Sequence, residues 1–487
     1  MFGRVLPVFF IALFVLIISC RRDDYYEGND VVVTFSEDTL RFDTVFTSLG
    51  SATRFIKVFN PKDQPILVDV ALKNQTNSYF RINADGIKGP TVNQLEINGR
   101  DSIYIFVEVT INPDLPTSIS PFIIEDVIEV TANGNVSVAH LEAFGQNANY
   151  IPSSSGKGGG ALLSCNLGQV TWNDPKPYVI YGILYIDSCT LVLPPGTRIY
   201  VHGGVVRNEN SIYNDGLIVF NKHGKLLSQG TLDQPVIFQG DRLEQEFQDI
   251  SSQWVGLLFW YESRNNKLDH TIIKNSIIGM RVDSLADVSL NSVQISNTGG
   301  PAIIGRHGDI YAENSLFYDN EGNALQLTYG GKYTFNYCTV SNRSGQREAV
   351  VMTDWFCPFV LCGINDYQIN RLDAAFINCI FAGTDRDEVG LSQLNADDNN
   401  FQYKFTNCAV KVDELLLPDN TPNFFDNCEN CINLKFNDRI FLDQNENDYR
   451  LDTMSVALGK GISIPGINTD ILGNPRKSTP DLGCFEF

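Results

Sequence analysis

Between His270 and Val410 a short signature keeps returning: a lead residue, then Asn or once Tyr, then Ser or Cys, then apolar residues. It reads Asn275-Ser276, Asn291-Ser292, Asn314-Ser315, Tyr337-Cys338, Asn378-Cys379 and Asn407-Cys408, at intervals of 16, 23, 23, 41 and 29 residues. A variable period near two dozen residues, carried by short strand-like runs, predicts a coiled solenoid whose turns tolerate insertions. Each coil then holds about three short strands, and stacking at about 4.8 Å sets equivalent positions in columns. Asn275, Asn291, Asn314, Asn378 and Asn407 are therefore expected to form a structural ladder, each amide donating to and accepting from its neighbours. The next position must be small and tolerant of burial, so Cys338, Cys379 and Cys408 are expected as stacked thiols rather than ligands.

The chain of 487 residues is long enough for two or three domains, and 43% hydrophobic with 11% aromatic residues supports large cores. A formal charge of -21 excludes nucleic acid and an anionic membrane surface as partners, because both repel an acidic surface.

The first twenty residues read as a targeting segment, with Arg4 as its basic region and an apolar run from Val5 to Ile18. The following Ser19-Cys20 completes a stretch that resembles the lipobox of bacterial lipoproteins. That resemblance implies a signal peptide over 1–20, a lipidated Cys20, a tether over 21–30 and a lipid anchor in the outer membrane. Asp23-Asp24 resembles the acidic export signal of surface lipoproteins in Gram-negative bacteria, which implies display on the cell surface.

Residues 31–147 hold seven expected strands: Val31–Phe35, Phe55–Phe59, Ile66–Leu72, Phe80–Ile82, Ser102–Ile111, Ile123–Thr131 and Val136–Phe144. Turn signals such as Asn60-Pro61, Asp85-Gly86, Asn98-Gly99 and Asn133-Gly134 separate them, which predicts an antiparallel sandwich. Leu49-Gly50-Ser51, Phe59-Asn60 and Ile111-Asn112-Pro113 are similar to immunoglobulin-like modules of the choice-of-anchor type, implying a spacer or partner-binding domain. A Gly/Ser-rich linker is expected over 148–160.

From 161 to 487 the chain resembles bacterial right-handed parallel β-helix, pectate-lyase-like lipoproteins. The matching residues are Trp172-Asn173-Asp174, Leu193-Pro194-Pro195-Gly196-Thr197, Gln253-Trp254-Val255-Gly256, Asp470-Ile471-Leu472-Gly473-Asn474-Pro475-Arg476 and Pro480-Asp481-Leu482-Gly483-Cys484. The last two imply a C-terminal cap. The fold class expected is thus all-β: an N-terminal immunoglobulin-like β-sandwich followed by a right-handed parallel β-helix solenoid.

Related β-helix enzymes act on polysaccharides as lyases or hydrolases, both needing acidic groups from neighbouring coils within about 5–10 Å of the scissile bond. Arg281, Asp283, Arg306 and Asp309 are interleaved suitably but match no active-site motif of the family, and charged turn residues are ordinarily solvated ladder edges. The five histidines show neither metal spacing nor a triad. Cys428-Glu429-Asn430-Cys431 has half of a zinc spacing, and Asp397-Asp398-Asn399-Asn400 offers calcium a site without the Gly and distal Glu of a calcium loop. No cofactor is expected, with calcium as the one candidate. Cys357 and Cys362 suit a local disulfide.

The 41-residue interval is either two coils or one coil bearing a loop. Its apolar stretch presents Trp355 and Phe356 as a stacking platform for sugar rings or as a lid packed on the solenoid, with Asp354, Arg343 and Arg347 as polar neighbours. The favoured reading is a non-catalytic surface lipoprotein whose β-helix binds a glycan or a surface partner. The alternatives are a polysaccharide lyase or glycoside hydrolase, and a structural or adhesive protein.

Overall fold

The computed structural model describes residues 24–46, 53–110, 122–146, 148–151, 159–207, 212–243, 247–343, 347–359, 362–363, 366–394, 399–417 and 424–487. The expected signal peptide with Cys20 and the Asp397-Asp398 pair lie outside them. The chain divides into two compact units, Met1–Asn147 and Ala148–Phe487.

The first unit is a sandwich of two five-stranded sheets. One runs in the order Thr34–Phe35, Arg54–Phe59, Ser102–Val109, Phe80–Ala84, Ile87–Lys88; the other Thr39–Phe46, Asn135–Gln146, Phe122–Ala132, Ile66–Leu72, Thr91–Ile97. Alternation drives it: Ile103, Ile105, Val107 and Val109 point inward while Tyr104, Phe106 and Glu108 point out. Three strands escape the sequence reading, Thr39–Phe46, Ile87–Lys88 and Thr91–Ile97. Thr91–Ile97 carries Asn93 and Gln94, poor strand formers, and Gln94 sits at φ 52 where the pairing with Ile66–Leu72 shifts register. Thr39–Phe46 pairs in parallel with Asn135–Gln146, so the sandwich is not wholly antiparallel.

The second unit is a parallel β-helix of three long sheets. The first sheet has 11 strands, from Asn149–Ile151 to Ile432–Asn433; the second has 9, from Gly160–Leu163 to Val389–Ser392; the third has 10, from Gly168–Thr171 to Cys428–Glu429. The solenoid therefore begins inside the stretch expected as a linker, because Tyr150 and Ile151 already pair with Val179 and Ile180. The Cys165–Cys189 disulfide ties the first coil to the second. Pro194-Pro195-Gly196 forms the expected turn, with Thr197 N–H donating to Pro194 O at 3.2 Å and Gly196 at φ 77.

Inside, like residues stack. Phe335, Phe376 and Phe405 occupy one register, with ring centroids 5.5 and 4.6 Å apart, and all are fully buried. The 41-residue interval resolves as one coil, with a loop from Asp354 to Arg371 between its second-sheet and third-sheet strands.

The expected Asn ladder needs correction. Register places His270, Ser292, Asn314, Tyr337, Asn378, Asn407 and Asn430 in one column between third-sheet and first-sheet strands, all with φ between 38 and 56 degrees. Left-handed backbone, which Asn adopts more readily than most residues, is what the position selects. Asn291 falls one residue early, on the third-sheet strand opposite Glu313. Asn275 belongs to another corner, where its amide donates to Gln248 O and Ile250 O at 2.8 and 2.9 Å. Nor do the amides hold one another: Asn314 donates to Thr469 O at 3.0 Å, Asn378 to Ile462 O at 2.7 Å and Asn407 to Lys460 O at 2.7 Å.

Those acceptors belong to the C-terminal segment, which lies on the outer face of the first sheet. Leu482, Cys484 and Phe485 pack there on Leu316, Ile380 and Ala409. The segment ties its own knot: Asp470 carboxylate oxygens accept from the N–H groups of Leu472, Asn474 and Glu486 at 2.9, 2.7 and 2.8 Å.

Candidate functional site

The corner between the second and third sheets gathers most of the sequence-predicted residues. Arg306 ends a second-sheet strand and Asp309 opens the next third-sheet strand. Val288 and Leu290 point into the core, so Asp287 faces outward, and the register continues Asp287, Asp309, Lys332, Asp373 up four coils. A cleft of about 290 Å³ opens over this column, lined also by Arg264, His307 and Arg371. A second cleft of about 680 Å³ shares Lys332 and Asp373 and continues along the third sheet toward Lys404 and Glu429.

The charges are largely matched in pairs. Arg371 Nε and Nη2 donate to the two Asp373 oxygens at 2.7 Å each, Lys404 Nζ lies 2.6 Å from Glu429, and Lys332 Nζ lies 3.8 Å from Asp309. Asp287 accepts the Asn265 N–H at 2.6 Å. Burial raises the Asp309 carboxyl above its ordinary range, and the neighbouring Asp287 adds to this while Lys332 opposes it. Burial also lowers the His307 imidazole, favouring its neutral form.

The loop supplies an aromatic shelf. Trp355–Phe356 pairs antiparallel with Gln368–Ile369, and Cys357–Cys362 closes the tip beyond. The Arg306 guanidinium lies 3.9 Å from the Phe356 ring centroid, Tyr329 stands 5.5 Å from Phe356, and His307 5.6 Å from Tyr329. Trp355 is turned down instead: its indole N–H donates to Ser392 Oγ at 3.1 Å and Tyr367 meets it edge-on at 5.2 Å. Asp354 is fully buried, and its carboxylate accepts the Leu394 N–H at 3.0 Å, so it fastens the base of the loop.

Of the remaining candidates, Arg281 and Asp283 lie at this corner one coil before Arg306, Arg281 opposite Ile304 and Asp283 just after the Val282–Gly305 pair, while Arg343 and Arg347 stand apart. Arg281 and Asp283 form a closed bidentate pair at 2.8 and 3.0 Å, with Trp260 5.9 Å from the guanidinium. Arg343 donates to Asn445 Oδ1 at 3.0 Å, and the Arg347 carbonyl accepts from Asn342 Nδ2 at 2.8 Å. Both precede the strand Val350–Thr353 that Trp355 and Phe356 follow, so they sit at its opposite end. Sequence reasoning missed Asp287, Lys332, Asp373 and Tyr329. The steps from Asp287 to Asp309 and on to Lys332 are 22 and 23 residues, the coil period itself, and a search at that period would have found Asp287 and Lys332; Asp373 lies 41 residues further on, past the loop. Among the described residues, no group of three or more His, Cys, Asp or Glu side chains is arranged to hold a metal ion.

No protein-family model matches the chain, and no curated protein matches it. Among solved structures, the catalytic domain of a GH87 alpha-1,3-glucanase, as an aspartate-to-alanine variant in complex with nigerose, is similar at 12% identity and TM-score 0.22, covering 73% of this chain and 81% of that one. A family 123 glycoside hydrolase from Clostridium perfringens is 10% identical with TM-score 0.19, covering 25% of this chain and 30% of that one. The E. coli chaperone DraB is 14% identical with TM-score 0.17, over 26% of this chain and 58% of that one. Likenesses this remote carry no activity across.

Proposed function

We propose that the protein is a lipid-anchored cell-surface protein whose β-helix binds a glycan along the third-sheet cleft without catalysis, its sandwich serving as an immunoglobulin-like spacer. One observation carries the reading: the half-buried Phe356 and Tyr329 shelf adjoins the cleft through His307, which lines it and stands 5.6 Å from Tyr329, and the cleft floor holds the pairs Arg371–Asp373 and Lys332–Asp309. Aromatic faces accept the C–H surface of a pyranose, and the paired carboxylates and guanidinium groups offer acceptors and donors to its hydroxyls. Paired carboxylates are poor general acids and bases, which favours binding over turnover.

Glycoside hydrolysis is the second reading, favoured by Asp287 and Asp309 on adjacent coils with the Asp309 carboxyl raised. The experiment is a glycan array with calorimetry of each hit, followed by product analysis after prolonged incubation. Binding lost in Phe356→Ala, with the oligosaccharide recovered intact, supports the first reading. Turnover abolished by Asp309→Asn replaces it with the second. The anchor is tested separately, by radiolabelled fatty acid incorporated in wild type and absent in Cys20→Ala.

A further inference from the structure

Cys338, Cys379, Cys408 and Cys431 are free thiols in a single column, one per coil. In this column a side-chain heteroatom accepts the backbone N–H of the coil before it: Val293 to Ser315 Oγ at 3.1 Å, Cys338 to Cys379 Sγ at 3.4 Å, Cys379 to Cys408 Sγ at 3.4 Å. The inner thiols are fully buried and donate onward, Cys379 to Phe335 O and Cys408 to Phe376 O, each at 3.3 Å. Burial raises all three well above the ordinary thiol value, so they stay protonated and inert.

The last coil is different. Among the described residues, the first and third sheets end at Ile432–Asn433 and Cys428–Glu429, so no further strand of either sheet stacks on this coil. Cys428 and Cys431 are half-buried rather than enclosed. Only Glu429 and Asn430 separate them, and Asn430 turns the chain at φ 55. Both lie at one corner of that coil and pack against the core: Cys428 is opposite the inward-facing Phe405, and Cys431 continues the column of Cys338, Cys379 and Cys408. The Cys431 S–H reaches a carbonyl, that of Glu429, only at 3.8 Å. The neighbouring Cys408 and Cys428 groups favour the Cys431 anion and move this thiol down to about 4, while Cys428 moves up.

We propose that Cys428 and Cys431 form a thiol–disulfide exchange site at the end of the solenoid, whose substrate is a small-molecule disulfide. The Cys431 thiolate attacks one sulfur of the substrate, forming a mixed disulfide and expelling the other half as a thiolate that takes a proton from water. Cys428 then gives up its proton to solvent and attacks the Cys431 sulfur, expelling the second half. The substrate disulfide gains two electrons and leaves as two thiols, while the protein dithiol is oxidised to one intrachain disulfide.

The test uses the full chain, reduced and freed of reductant, mixed with glutathione disulfide at about pH 6, where ordinary thiols react slowly. Peptide mass spectrometry is expected to find a Cys428–Cys431 disulfide in wild type and a glutathione adduct held on Cys431 in Cys428→Ser. Adduct formation on Cys428 in Cys431→Ser is expected to be about tenfold slower. Iodoacetamide labelling of the folded wild type at the same pH needs no variant, and is expected to reach Cys431 before Cys428 and to spare Cys338, Cys379 and Cys408. Equal adduct rates in the two variants, or wild-type labelling of Cys428 ahead of Cys431, would overturn the proposal.

Discussion

Asn378 and Ile462 hold each other twice. The Asn378 amide donates to the Ile462 carbonyl at 2.7 Å, and the Ile462 N–H donates back to Asn378 Oδ1 at 2.9 Å. The Tyr337 hydroxyl joins the same carbonyl at 2.6 Å. The column that the repeat signature marks is thus the rail on which the C-terminal segment is fastened, with Asn407 below and Asn314 above making equivalent bonds.

That double role separates by substitution. Asn378 stands at φ 56, so Asn378→Gly keeps the backbone and loses only the two bonds, a cost of about 1–3 kcal/mol. Asn378→Ala loses the same bonds and adds left-handed strain of about 1–2 kcal/mol. Urea denaturation is expected to rank wild type, glycine variant and alanine variant in that order. Coincident midpoints for the two variants would reject the backbone account of the ladder.

The period and the interior were legible because stacking repeats the same steric demand in every coil; Ser315, Cys338, Cys379 and Cys408 do form the buried column expected. The reason for Asn was misread, since left-handed backbone and docking of a segment distant in sequence leave the same mark as an amide ladder. Asn275 matched the signature yet lies at another corner, because a parallel coil turns more than once and a two-residue motif does not say which turn it occupies. The cleft was half legible. Arg306 and Phe356 are 50 residues apart and meet only because the loop folds back across a coil, a contact no local pattern encodes.

The C-terminal knot is expected to depend on Arg476. Its guanidinium lies 3.6 Å from the Tyr337 ring centroid, donates to Asn314 Oδ1 at 2.6 Å and pairs with Glu486 at 3.4 Å, both side chains being 3% exposed. Arg476→Ala leaves Glu486 buried without this partner, and breaking such a pair costs about 3–5 kcal/mol. Limited proteolysis is expected to release the C-terminal segment from Arg476→Ala under conditions that spare wild type. Tyr337→Phe, which loses one hydrogen bond, is expected to cost about 1 kcal/mol and to keep the segment in place.

Glu388 predicts a pH dependence. It is fully buried, its oxygens accept the Ala349 and Asp385 N–H groups at 3.1 and 3.0 Å, and burial raises it to about 8 despite Lys411 nearby. Asp385, itself raised by burial and by Glu348, adds to the upward push. Between the unfolded carboxyl value of about 4.3 and the folded value the native state holds more protons than the unfolded chain. Stability from this group is therefore complete below that unfolded value and is lost as pH rises toward about 8, by up to about 1.4 kcal/mol per pH unit. Denaturation midpoints taken across this window are expected to fall in wild type and to flatten in Glu388→Gln. An unchanged slope in the variant would assign the dependence to other groups.

The aromatic shelf makes the last prediction. Phe356 packs against the Arg306 guanidinium at 3.9 Å and against Tyr329 at 5.5 Å between ring centroids, while Trp355 is tied down by Ser392. If a glycan stacks here, Phe356→Ala is expected to weaken its binding about tenfold, equivalent to about 1.4 kcal/mol. Arg306→Ala is expected to weaken it less, because it removes the support and leaves the ring. Trp355→Phe breaks the indole bond to Ser392 without removing an exposed face, so it is expected to lower thermal stability more than affinity. Arg343→Ala, at the far end of the preceding strand, is expected to leave binding unchanged. Calorimetry of the four variants against one array-selected oligosaccharide reads all of these, and an affinity loss that follows Trp355 rather than Phe356 would move the platform to the other ring.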